Sequence, residues 1–130
     1  MYSITVSGHF DSGHWLRNYE GKCANPHGHR FTYQIVIQGE KLNDQGILID
    51  FTNIKQFMKD VIEEKFDHKM LNEVPPFDKI NPTAENLAHS IYVGAYNMIS
   101  GNPLPVIRRH CKVTRVRVYE SPDCWSEYSE

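Results

Sequence analysis

The chain has 130 residues, room for one packed core and not for two, so a single domain over 1–130 is expected. Fourteen Lys and Arg against sixteen Asp and Glu give a formal charge of −2 with no basic block, which argues against a nucleic-acid partner. Three scattered cysteines make no disulfide framework, no apolar run reaches the ~20 residues of a membrane span, and Met1–Val6 is no signal peptide, so a soluble cytoplasmic protein without a membrane partner is expected.

In chain order, Ile4, Val6 and Phe10 alternate with Ser3, Thr5 and Ser7 and predict a half-buried strand. His14 to Pro26 is polar and glycine-containing and reads as a loop. A second strand is expected from about His29 to Gln38, with Phe31, Tyr33, Ile35 and Ile37 on one face. Gly39 to Gly46 is a turn, followed by the short apolar run Ile47–Ile49. Asp50 or Thr52 caps a helix whose apolar stripe is Ile54, Phe57, Met58, Val61 and Ile62. Asp67 to Pro82 is a long connection of the kind that carries function. Thr83 then caps a second helix carrying Leu87, Ala88, Ile91, Ala95 and Met98, which Gly101 and Pro103 stop. Lys112 to Glu120 is the last predicted strand. The order β-β-α-α-β implies an α+β fold with an antiparallel sheet.

The densest chemistry lies in a 16-residue window holding His14, Cys23, His27 and His29. If the second strand begins near His27, then His27 and His29 project from one face, because strand side chains repeat with period two; Gly28 between them leaves that space clear. A third histidine completes a three-nitrogen metal site with one open position, the catalytic type of zinc site. A closed site with Cys23 as fourth ligand is the alternative, and the lack of a close cysteine pair favours the open one. Asp67 beside His68 is either a tautomer-fixing pair that prepares a general base or a surface and capping pair. Glu120 shares strand parity with Val116 and Val118. It is therefore either past the strand end in solvent or satisfied by a ligand, such as the N–H edge of a guanidine-like ring. Arg108–Arg109 and Arg115/Arg117 are either an anion site or a solvated face.

Six segments in order carry a resemblance: Phe10-Asp11-Ser12-Gly13-His14, Cys23-x3-His27-Gly28-His29, Gly46–Phe51, Phe66–Asn72, Asn81–Leu87 and Val118-Tyr119-Glu120-Ser121. Together they resemble the 6-pyruvoyl-tetrahydropterin synthase / 6-carboxytetrahydropterin synthase family over nearly the whole chain. The resemblance implies a T-fold: an antiparallel sheet with two helices on one face, subunits closing into a barrel, as a homohexamer of two stacked trimers with interfacial active sites. It implies 7,8-dihydroneopterin triphosphate as substrate, His14, His27 and His29 as zinc ligands, Cys23 as catalytic thiolate, and Asp67 and His68 as proton-transfer partners. Glu120 is implied as the anchor of the pterin ring, with Thr83 as a further contact. Lys22, Arg108 and Arg109 are candidates for the triphosphate, without a motif to identify them.

The three-residue gap between Cys23 and His27 resembles the bacterial 6-carboxytetrahydropterin synthases of queuosine (7-deazaguanine) synthesis. The implied reaction is side-chain cleavage with release of acetaldehyde and triphosphate. The alternative is the 6-pyruvoyl synthase of biopterin synthesis, which eliminates triphosphate and keeps the three-carbon chain. A non-catalytic zinc-binding relative, or a T-fold enzyme of aldolase or cyclohydrolase type, are the readings from other classes. One departure from the family is Ser12-Gly13-His14 where Ala-Ala-His is common.

Overall fold

The computed structural model describes residues 1–130. Strands β1 (Tyr2–His14) and β2 (His27–Gly39) pair antiparallel along their whole length, from Tyr2 opposite Gly39 to His14 opposite His27. The alternation expected for β1 does not stop at Phe10. Ser12 and His14 continue its inward row and are buried although polar, so the strand reaches four residues past the last apolar one. β2 likewise starts at His27, two residues earlier than its β-rich stretch suggests.

Strands β3 (Cys111–Ser121) and β4 (Cys124–Ser129) complete a four-stranded antiparallel sheet in the order β1-β2-β3-β4. β4 is absent from the sequence-based expectation. Its inward residues are Ser126 and half-buried Tyr128, too weak an alternation to stand out. Two register shifts interrupt β3. One, opposite Val36/Ile37, lets Val113 join Val116 and Val118 on the buried face and turns Thr114 aside. The other lies between Tyr119 and Ser121 and leaves Glu120 as an extra residue against β4.

All the helices lie on one face of the sheet. Helix α1 (Phe51–Phe57), a π-helical segment (Met58–Glu63) and α2 (Glu64–Phe66) form one continuous run. Asp50 is its cap, accepting from the Thr52 N–H at 2.8 Å. The buried positions are Ile54, Met58, Ile62 and Phe66, while Val61, expected in the stripe, is exposed. A four-residue repeat drifts about 40° per step on a 3.6-residue helix. The wider i→i+5 turn takes up that drift and keeps the four side chains on the core. Helix α3 (Ala84–Ser100) packs on β3 and β4 through Leu87, Ala88, Ile91, Ala95 and Ile99, with Thr83 as cap, as expected. A short α4 (Pro105–His110), missed from sequence, starts on a proline and ends in Arg108, Arg109 and His110.

The connection after α2 is packed rather than loose, with Leu71 and Phe77 fully buried. Residues 67–70 run along the free edge of β1, where the His68 N–H donates to the Asp11 carbonyl at 2.7 Å and the Gly13 N–H to the Lys69 carbonyl at 3.0 Å. Phe10, Phe31 and Phe66 form the centre of the core at this end, with ring centroids 5.3 Å apart for Phe10–Phe31 and for Phe10–Phe66. No helix is long and apolar enough to cross a membrane.

Candidate metal centre and active site

The β1–β2 register builds the centre. His14 lies opposite His27, and Ser12 opposite His29, so the three imidazoles occupy one sheet face as a direct and a diagonal pair. One nitrogen of each lies within 4.8 Å of the others. Phe31 closes the floor, its ring centroid 5.2 Å from that of His14.

The second nitrogen of two rings is already committed. His14 Nδ1 is 2.7 Å from the Pro82 carbonyl and His27 Nδ1 is 2.7 Å from the Asn25 carbonyl. A carbonyl only accepts, so Nδ1 carries the proton in both rings and Nε2 is left with its lone pair. His14 Nε2 is sealed from solvent and has no hydrogen-bond partner. Burial holds His14 and His29 below the usual histidine range; it outweighs the upward pull of the Pro82 carbonyl on His14 and of the Glu120 charge on both, and the neighbouring imidazoles add to the depression. Neutral rings with free lone pairs are the form that binds a metal. The fit to a divalent, imidazole-preferring ion such as zinc is good: three nitrogen donors converge, and one of them is otherwise an orphan.

Gly28 has a different place from that expected. It points to the opposite face of the sheet, where an added Cβ would meet only the Ser12 carbonyl at 3.6 Å, so it does not clear the histidine side.

Cys23 sits half-buried in a helical turn, Lys22–Ala24, and its carbonyl accepts from the Leu16 N–H at 2.8 Å. That bond ties the cysteine to the chain two residues beyond His14. Its sulfur is outside the set of donors that converge, which are the three imidazole nitrogens.

Glu120 is half-buried at the β3 irregularity, close enough for its charge to act on His14 and His29. β3 pairs with β2 only from Thr32 onward, so the β2 edge at His27–Phe31 is not covered by β3. A cavity of about 560 Å³ opens at this break, lined by His29, Thr32, Tyr119 and Glu120 among others. Thr83 lies on the residue after Pro82, whose carbonyl holds His14; its Oγ1 accepts from the Asn86 N–H at 3.1 Å.

Asp67 and His68 do pair, but elsewhere. His68 Nδ1 is 2.9 Å from Asp67 Oδ2, and Asp67 Oδ1 accepts from the Asp11 N–H at 2.9 Å. Those contacts hold the Asp67 carboxyl below the usual carboxylate range. The pair thus keeps Nδ1 protonated and leaves Nε2 as the basic atom, on a side chain that is 79% exposed. His68 has φ 56°, a left-handed conformation that costs a non-glycine residue energy and that its N–H bond to Asp11 sustains. The pair flanks the free edge of β1, whereas Glu120 lies beyond β2 on the other side.

Of the basic candidates, Lys22 adjoins Cys23. Arg108 and Arg109 lie near the Gly39–Cys111 end of the sheet, roughly 40 Å of β2 away from the histidines. Arg117 belongs to a surface pair with Glu127 at 2.8 Å. His9 and His89 are exposed.

The sequence reading assigned no role to Asn72 and Asn81, although both stand inside the quoted segments. Each side chain hydrogen-bonds both backbone groups of one residue after His14. The only signal was an asparagine at a position flanked by buried residues, Leu71 in one case and Pro82 in the other.

The family model for 6-pyruvoyl tetrahydropterin synthase matches residues 3–130. A 6-carboxy-5,6,7,8-tetrahydropterin synthase of Rickettsia conorii is 30% identical, over 98% of this chain and 99% of that protein. A 6-pyruvoyl tetrahydrobiopterin synthase of Dictyostelium discoideum is 38% identical over 73 residues, 55% of this chain and 54% of that protein. The 6-pyruvoyl tetrahydropterin synthase structure of Caenorhabditis elegans superposes with a TM-score of 0.80 at 22% identity, covering 99% of this chain and 95% of that one. The sheet with its helices on one face is accordingly the T-fold, and the chain belongs to the 6-pyruvoyl tetrahydropterin synthase family.

Proposed function

We propose that this protein is a zinc-dependent 6-carboxy-5,6,7,8-tetrahydropterin synthase acting on 7,8-dihydroneopterin triphosphate, with release of acetaldehyde and triphosphate, in the queuosine/7-deazaguanine route. The observation that carries the reading is the convergence of three imidazoles, one of them His14 with its buried, partnerless Nε2. The Rickettsia conorii relative, similar over nearly all of both chains, supports the 6-carboxy product over the 6-pyruvoyl one.

In this reading His14, His27 and His29 hold the metal, which when bound supplies Lewis-acid polarisation of substrate hydroxyls. The 560 Å³ cavity takes the pterin ring, and Glu120 accepts two of its N–H bonds; Thr83, whose O–H remains free to donate, is a further contact. Cys23 is the thiol that exchanges a proton with the side chain. Asp67 holds the His68 tautomer so that Nε2 is the base. Because the Asp67–His68 pair flanks the outer edge of β1, it serves the histidine site of a neighbouring copy, in a barrel-forming homohexamer with interfacial sites. Lys22 adjoins Cys23 and is retained for the triphosphate; Arg108 and Arg109 are not. The 6-pyruvoyl synthase of biopterin synthesis, with the same site, is the alternative.

Two variants test the assignment. Cys23→Ala is expected to abolish consumption of 7,8-dihydroneopterin triphosphate while zinc stays near one per subunit by elemental analysis. Loss of the zinc would make Cys23 a ligand and the site a closed one. Glu120→Gln is expected to weaken pterin binding by one to two orders of magnitude, roughly the cost of an unmade charged hydrogen bond, with metal content unchanged. Equal affinity in calorimetry would remove Glu120 from the pocket.

A further inference from the structure

The β1–β2 ladder ends at His14, yet the chain continues through Trp15, Leu16 and Arg17, and there the backbone groups of Trp15 and Arg17 are satisfied by side chains instead of by a strand. On one flank, Asn72 Oδ1 accepts from the Trp15 N–H at 2.9 Å and Asn72 Nδ2 donates to the Trp15 carbonyl at 2.9 Å. Two residues on, Asn81 repeats the pattern with Arg17, accepting at 2.8 Å and donating at 3.0 Å. A carboxamide has one acceptor and two donors, so each asparagine reproduces the paired N–H and C=O of a neighbouring strand residue. The Leu16 N–H, between these two positions, is taken by the Cys23 carbonyl at 2.8 Å. A three-residue segment therefore joins His14 at its head, Cys23 through Leu16, and two asparagines through its alternate residues.

The asparagines are themselves held. Asn72 is 6% exposed. Asn86 Nδ2, in the first turn of α3, donates to the Asn81 carbonyl at 2.8 Å. The Pro82 carbonyl next to it accepts from His14. The Arg17 guanidinium adds donations to the Phe77 carbonyl at 2.8 Å and the Ile80 carbonyl at 3.0 Å. None of the side-chain hydrogen bonds of either asparagine is to an imidazole ring or to the Cys23 thiol.

We infer that Asn72 and Asn81 are positioning residues that set His14 Nε2 and the Cys23 thiol relative to one another. Metal affinity and thiol reactivity then depend on two amides that touch neither group. The metal half of this inference rests on the three-histidine reading; the half that runs through Leu16 to Cys23 does not.

The test uses the full chain, Co²⁺ alone as the metal probe, and the rate of Cys23 alkylation by iodoacetamide followed by peptide mass mapping. The mapping separates Cys23 from exposed Cys124. Asn72→Ala and Asn81→Ala are expected to weaken Co²⁺ binding about 10-fold or more, the scale of lost outer-shell support, and to change the Cys23 rate several-fold. Asn72→Asp and Asn81→Asp keep the acceptor and lose the donor; they should fall between wild type and Ala, and they decide the matter if the Ala variants do not fold. Ile91→Val, a core change remote from this segment, should lower the melting temperature and leave both readouts alone. The inference is overturned if the asparagine variants melt lower but match wild type in Co²⁺ affinity and in alkylation. If wild type binds no Co²⁺, the three-histidine reading fails by itself. The positioning role then stands or falls on the alkylation rate, and an unchanged rate rejects it.

Discussion

His14 Nε2 is a polar atom sealed from water with no partner, a state that costs roughly 1–3 kcal/mol when nothing relieves it. Its opposite ring nitrogen is spent on the Pro82 carbonyl, so rotation of the ring would orphan that group instead. A bound ion removes the difficulty, and it binds the folded chain alone. Zinc at about 100-fold above its dissociation constant should thus raise the melting temperature by about 5–10 °C over the chelated protein. In His29→Ala the difference should vanish; equal melting of wild type with and without chelator would contradict the metal reading. Asp11 gives a residue-scale pH test. Arg30, at 2.8 and 3.0 Å, lowers its pKa below the ordinary 3.8. A carboxyl depressed in the folded state contributes stability that is present above 3.8 and lost as pH falls through its folded value. Arg30→Gln should melt slightly below wild type at neutral pH, and the two curves should meet at lower pH; a gap that persists or widens in acid would reject the coupling.

At the scale of elements, the helical run from Phe51 to Phe66 depends on its π segment for phase. Ile62→Ala should destabilise by about 2–5 kcal/mol, whereas Val61→Ala, one residue away, should stay within about 0.5 kcal/mol. Similar costs in denaturant melts would mean that the helix is plain α and that Val61 packs. Val61 also shows where sequence reading ends. A 3.6-residue template places it in the stripe, and only the wider turn, which no residue type announces, moves it out. β1 was legible to Phe10 because apolar and polar residues alternate there. Its last turns carry Ser12 and His14 inward, and their burial comes from residues 66–82, distant in sequence. Parity did show that His27 and His29 share a face; for Glu120 it is no guide, because the register shift between Tyr119 and Ser121 falls on that residue. That His14 faces His27 is a matter of pairing register, which only the sheet supplies.

At the scale of the whole molecule, the candidate groups divide between two flanks. The histidines and Glu120 gather at the break between β2 and β3, and the Asp67–His68 pair lies along the free edge of β1. Spacing in sequence could not reveal that separation, because six segments in order say nothing about which edge each one meets. The interfacial reading predicts complementation: Cys23→Ala and His68→Asn, each inactive alone, should recover turnover when co-expressed as mixed oligomers. Mixed oligomers without activity would mean that the pair does not serve a neighbour's site. The central claim concerns the product. Zinc-loaded protein should be incubated anaerobically with 7,8-dihydroneopterin triphosphate and the products read by mass spectrometry. The account predicts 6-carboxytetrahydropterin together with acetaldehyde and triphosphate. A 6-pyruvoyl product, or untouched substrate from folded, zinc-bound protein, would contradict it.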